Sequence, residues 1–192
     1  MSAVETQIEA VDPRIRRTRL LLQNALDKLL KEKDFDKISV QDIADKATLH
    51  RATFYDHYTD KSALLECLVA SRFLELLSNR GIKVISCDGA LRQVALGVCD
   101  YITSIPGATC GEQRHLEGHM ESAVIAVVRG MFLEGLKRHP SSAIEPELIA
   151  SAVSWAIYGA AKEWAHTPDR CPVEQIVDKI EILTSPIFRG KQ

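Results

Sequence analysis

Apolar residues recur at three- and four-residue spacing along nearly all of this chain, and no stretch alternates apolar with polar as a half-buried strand does. That period restricts the fold to packed helices, and the fold class expected is all-α. Ile15, Leu22, Ala25, Leu26, Leu29 and Leu30 fall on one stripe of a first helix, and Pro13 suits its first turn. Ser39 with Asp42 three residues on has the form of a capping box, and opens a second helix carrying Val40, Ile43, Ala44 and Ala47. A break at Thr48 and Leu49 leads to a compact helix over 51–58. Thr59 or Asp60 caps a fourth helix with Leu64, Leu65, Leu68 and Phe73. Beyond a looser stretch at 79–89, helices are expected over 90–105, over 112–139 with an interruption near Gly118, over 147–165 and over 173–188. No internal repeat or low-complexity segment is present.

With 192 residues, 46% of them apolar and 26% charged, the chain has ordinary globular composition and room for one large domain or two small ones. The boundary is expected at residues 78 and 79, with a first domain over 1–78 (core about 13–68) and a second over 79–192. The longest apolar run, residues 123–128, is far shorter than the roughly 20 residues of a membrane span. No charged start precedes an apolar stretch and cleavage site, so a cytoplasmic protein without membrane contact is expected. Cys67, Cys87, Cys99, Cys110 and Cys171 are odd in number, widely spaced and without a Cys-x-x-Cys pair. They read as reduced thiols rather than a disulfide framework or zinc ribbon.

The informative stretch is 38–65, ISVQDIADKATLHRATFYDHYTDKSALL. It reads as two short helices joined by a tight turn. Ala44 is small where the helices cross, and Ile43, Leu49 and Phe54 form a miniature core. So small a core needs cover from the first helix and from the leucines of the fourth. The arrangement is a helix-turn-helix, whose second helix is short and polar enough to enter a DNA major groove.

Over about 14–68 the chain resembles the DNA-binding domain of the TetR/AcrR transcriptional regulators. The resemblance is strongest in Arg51-Ala52-Thr53-Phe54-Tyr55-Asp56-His57-Tyr58, followed by Asp60-Lys61 and Leu64-Leu65. The remainder is similar in architecture only. Members commonly carry glycine in the turn and a small cap residue two positions later, where this chain has Thr48 and His50. A β-branched residue tolerates a left-handed conformation poorly, so a strained or altered turn is expected.

Arg51 opens the reading helix and can donate two hydrogen bonds to guanine, and Ala52 can meet a thymine methyl. Tyr55 lies one turn on, and Gln41 aligns with a position from which family members reach bases. Thr53, His57 and Lys61 are expected at phosphates, with the amides that open the fourth helix as an anion site. Solvated surface for Arg51, packing for Tyr55 and a structural role for His57 remain open, and Phe54 and Tyr58 read as core. Residues 1–62 are neutral overall, but Arg14, Arg16, Arg17 and Arg19 cluster with only Asp12 nearby. The resemblance puts this end of the first helix beside the DNA backbone, as further phosphate contacts.

The resemblance also implies a homodimer on a palindromic operator in double-stranded DNA, paired through the last two helices. Ala152, Ala156, Gly159 and Ala160 permit close approach there, and Ile176 and Ile180 lie on the apolar stripe of the last helix. Ordinary core packing is the alternative. It further implies a pocket for a small apolar or amphipathic effector, with Tyr101, Met120, Val124, Met131, Phe132, Trp155 and Tyr158 as candidate lining. His115 and His119 share a helical face, but Gly118 lies between them, and they read as exposed polar residues rather than a metal site. No nucleophile elbow, phosphate-binding loop or dinucleotide fingerprint occurs, so neither catalysis nor a cofactor is expected. The leading reading is a repressor released by a small molecule. Two others stay open: a DNA reader whose second half docks a protein, and a ligand binder with a vestigial reader.

Overall fold

The computed structural model describes residues 12–82, 90–104, 114–138 and 144–189. Among them are eight α-helices, one 3-10 turn and no strands. Two compact units divide the chain, one through Leu68 and one from Val69.

The first unit begins with α1, Pro13–Leu29. Asp12 caps it by accepting from the Arg14 amide at 2.8 Å, with Pro13 in the first turn. Leu22, Ala25, Leu26 and Leu29 are buried on one face, whereas Ile15, at the uncovered end of the stripe, is exposed. A 3-10 turn, Phe35–Lys37, leads to α2, Val40–Lys46. The expected capping box opens α2. Ser39 Oγ accepts from the Asp42 amide at 3.1 Å, and the Asp42 carboxylate accepts from the Ser39 amide at 2.8 Å. Helix α3 is Arg51–Tyr55 and α4 is Lys61–Asn79. Of the two candidate caps for α4, Asp60 is engaged, accepting from the Ala63 amide at 2.9 Å.

Helix α3 is shorter than the 51–58 expected. The Asp56 amide still bonds the Ala52 carbonyl, but the His57 amide reaches back only three residues, to Phe54, as the chain tightens into a turn. Phe54, Ile43, Ala44, Leu22, Leu26 and Leu64 are all fully buried. Phe54 alone removes enough apolar surface from water to contribute about 2–3 kcal/mol. Tyr58 is buried as expected, its ring 5.9 Å from that of Phe54.

In the second unit α5 is Ala90–Ser104, α6 Arg114–Arg138, α7 Pro146–His166 and α8 Val173–Arg189. Helices α5 and α6 pack on α7, and both α5 and α7 pack on α8. Gly118 does not interrupt α6. An exposed glycine inside a helix costs about 0.5–1 kcal/mol, which a helix of 25 residues absorbs. At Gly97 of α5 a Cβ would collide with the Cδ2 methyl of Leu77 of α4, so a side chain there requires Leu77 to shift. The buried hydroxyls of Ser154 and Thr184 donate to the carbonyls of Ala150 and Ile180 on their own helices. Trp164 closes the end of α7. Its indole N–H donates to the Cys171 carbonyl at 2.8 Å, and the Arg170 guanidinium lies 4.8 Å from the ring. No described helix is long and apolar enough to cross a membrane. Cys67, Cys99 and Cys171 are free thiols, and Cys87 and Cys110 lie outside the described residues.

Candidate nucleic-acid interface

The turn between α2 and α3 is a Schellman motif. The Leu49 amide bonds the Ala44 carbonyl at 2.9 Å, and the Thr48 amide bonds the Asp45 carbonyl at 3.0 Å. That geometry requires Thr48 to be left-handed, and its φ is +55°. The same motif ends α4, where Gly81 takes the equivalent place with φ +69°. The expected departure at Thr48 therefore leaves the turn's shape intact and loads the cost onto one β-branched residue. His50 stands at the start of α3 without a capping side-chain bond, so α3 depends on packing through Phe54.

Arg51, Ala52 and Tyr55 all lie on the exposed face of α3. An Arg51 Nη donates to the Tyr55 hydroxyl at 3.2 Å, and the guanidinium is 5.6 Å from the ring centroid. The two side chains form one exposed, donor-rich patch. Phe54 supports it from below, meeting the Tyr55 ring edge-on at 5.5 Å. Gln41 is exposed on α2, and its amide nitrogen donates to Asp45 at 2.7 Å. Thr53 and His57 are half-buried, and Arg14, Arg16 and Arg17 are exposed at the start of α1.

Lys61 is placed differently from expectation. Its ammonium donates to the carbonyls of Phe35, Asp36 and Ile38 at 2.9, 3.2 and 2.8 Å and lies 4.7 Å from the Phe35 ring. All three N–H donors are turned inward, leaving none for a phosphate. Periodicity gives no sign of this, because backbone carbonyls carry no residue signature. Asp42 is likewise used internally. The Ser39 amide and the Lys33 ammonium, which donates at 2.9 Å, hold its carboxyl down at about 2.

In the second unit Tyr101, Val124, Phe132 and Tyr158 are buried, and Met120 and Met131 are half-buried. Burial, reinforced by Glu121, pushes the Tyr158 phenol up to about 12. Lys162 on α7 bridges Glu117 at 2.8 Å and Glu121 at 2.9 Å on α6. Trp155 does not belong with these residues. It is 56% exposed on the outer side of α7, as are Leu148, Ala152 and Gly159. Ile182, Leu183 and Ile187 of α8 are exposed too, and Ala156, Ala160 and Ile176 are half-buried. Ile180 is 1% exposed and so belongs to the subunit's own core rather than to an outward face. Of the pair His115 and His119, the side chain of His115 lies outside the description.

Residues 23–68 match the family model described as bacterial regulatory proteins, tetR family. The uncharacterized HTH-type transcriptional regulator YxbF of Bacillus subtilis (strain 168) is 40% identical over 70 residues, which are 36% of this chain and 18% of that protein. The chain thus matches about a fifth of the length of this curated relative. Among solved structures, Lin0861 from Listeria innocua shares 20% identity over 91% of this chain and 93% of its own, with a TM-score of 0.63. The TetR family repressor AlkX from Dietzia sp. strain DQ12-45-1b, implicated in biodegradation of n-alkanes, shares 17% over 88% and 94%, with a TM-score of 0.53. At these identities the two structures speak for the fold, an all-helical chain with an N-terminal helix-turn-helix. The reading-helix motif lies inside the matched segment, so residues 23–68 are similar to the helix-turn-helix domain of the TetR family of bacterial regulatory proteins.

Proposed function

We propose that this chain is a sequence-specific DNA-binding repressor, acting as a homodimer on a palindromic operator and released by a small apolar or amphipathic effector. The observation that carries the reading is the exposed Arg51–Tyr55 pair on a helix anchored by fully buried Phe54. An exposed arginine steadied by the tyrosine hydroxyl can offer its remaining donors to guanine as a bidentate contact, with Ala52 beside it for a thymine methyl. Gln41 reads from α2 once its amide leaves Asp45 or presents its free oxygen. Arg14, Arg16, Arg17, Thr53, His57 and the amides at the start of α4 set register on the phosphates.

Dimerisation is supported by Leu148, Ala152, Trp155 and Gly159, one exposed apolar face of α7, and by Ile182, Leu183 and Ile187 of α8. Exposed apolar faces on two neighbouring helices are the kind of surface that an association site covers. Ala156, Ala160 and Ile176 border it. Tyr101, Met120, Val124, Met131, Phe132 and Tyr158 suit an adaptable apolar effector site. An effector acts by binding the DNA-incompetent spacing of the two reading heads more tightly than the competent one.

In-vitro selection of bound duplexes from a random pool tests the reading. A two-fold symmetric consensus with half-sites one helical turn apart is expected. Recovery of no consensus would refute sequence-specific regulation.

A further inference from the structure

Lys61 is the first residue of α4, where a cation opposes the positive end of the helix dipole. What offsets this is the cage of three carbonyls, from Phe35, Asp36 and Ile38, with the Phe35 ring beside it. A tetrahedral ammonium has three donors, and the cage supplies one acceptor for each. The contact joins residues 23 to 26 apart in sequence. It closes a loop of chain that contains all of α2, the Thr48 turn and all of α3.

We propose that Lys61 is a positioning residue for DNA recognition. It clamps the start of α4 to the segment leading into α2, and so fixes the tilt of the reading helix enclosed between them. This rests on the DNA-binding reading above and reassigns Lys61 from phosphate contact to internal clamp. Helix α3 has five residues and no side-chain cap, so its own bonds set its direction poorly. The closed loop supplies the constraint. Arginine cannot substitute, because a planar guanidinium does not direct three donors at three converging carbonyls. At a phosphate the opposite holds, since arginine is at least as good a donor there as lysine.

The test uses the full-length protein, Lys61→Arg and Lys61→Met, each confirmed folded by circular dichroism at the assay temperature. Each is titrated with a fluorescein-labelled duplex recovered from the selection, over a series of salt concentrations. Both variants are expected to bind about tenfold more weakly, the loss typical of a charge-assisted hydrogen-bond set. The slope of log affinity against log salt should stay at the wild-type value, whereas Arg16→Ala, removing a phosphate contact, lowers it by about 0.9 per contact. A lowered slope in Lys61→Met with Lys61→Arg near wild type would restore the phosphate role and overturn the clamp. Wild-type affinity in both folded variants would overturn it as well, leaving Lys61 only a contributor to stability. Loss of folding in both would refute a clamp acting on a domain that stands on its own core. If the wild-type protein itself selects no duplex, the DNA-binding reading fails, an outcome distinct from all of these.

Discussion

Replacing Thr48 by glycine should stabilise the reading head. Thr48 occupies the left-handed position of a Schellman turn at φ +55°, where a side chain with a Cβ costs about 1–2 kcal/mol. Its hydroxyl bonds only the neighbouring Ala47 carbonyl, at 2.6 Å, so little else is lost with it. Glycine adds freedom to the unfolded chain worth about 0.5–1 kcal/mol, which sets off part of the gain. The net expectation is a gain of about 0.5–1 kcal/mol, or a two- to fivefold rise in protection. Native-state hydrogen exchange at the Leu49 amide, bonded to Ala44, reads this locally and avoids treating a two-unit chain as one transition. Thr48→Ala retains the left-handed Cβ and should give no gain. Gly81 offers the reciprocal control, because the same motif ends α4 there. Gly81→Thr should lower protection of the Ile82 amide, which bonds Leu77, by a similar factor. Reduced protection in Thr48→Gly, or none lost in Gly81→Thr, would refute the strain argument.

Three further outcomes are expected. Arg51→Ala should cost about 1–3 kcal/mol on the selected operator and relax preference at one base pair of each half-site, while Tyr55→Phe, which keeps the ring under the guanidinium, costs less; competition binding against single-base variants checks both. The Asp42 carboxyl lies near 2 in the folded chain against an ordinary 3.8, so its contribution to stability is present above about 4 and lost as pH falls toward 2. Asp42→Asn should therefore lower the melting temperature at pH 7, with the difference from wild type shrinking across that window in a pH series of thermal melts. Trp155→Asp should shift the protein from dimer to monomer in sedimentation velocity and weaken operator binding. An unchanged dimer would place the interface elsewhere.

Much of this architecture is written in residue identity. The capping box at Ser39 and Asp42, the buried stripe of α1 and the exposed Arg51, Ala52 and Tyr55 all follow from side-chain type and spacing. The errors arise where identity underdetermines geometry. Phe54 and Tyr58 are both buried at a spacing of four, a pattern that a helix and a helix followed by a tight turn satisfy equally. Helix α7 is apolar on both sides, with Val153, Ile157 and Ala161 inward and Leu148, Ala152 and Trp155 outward, so periodicity could not say which face Trp155 joins. Ile176 and Ile180 lie on one apolar stripe of α8, yet only Ile180 is sealed inside. Lys61 was illegible for a different reason: its partners are carbonyls that any residue would supply.

The placement of the two tryptophans has a practical corollary. Trp164 is shielded, tied down and stacked beneath a guanidinium, whereas Trp155 is wet. Their emission should resolve into a blue component that resists collisional quenchers and a red component that does not. Burial of Trp155 in the proposed dimer would extinguish the difference, giving the unlabelled protein an optical gauge of that assembly with Trp164 as its internal standard.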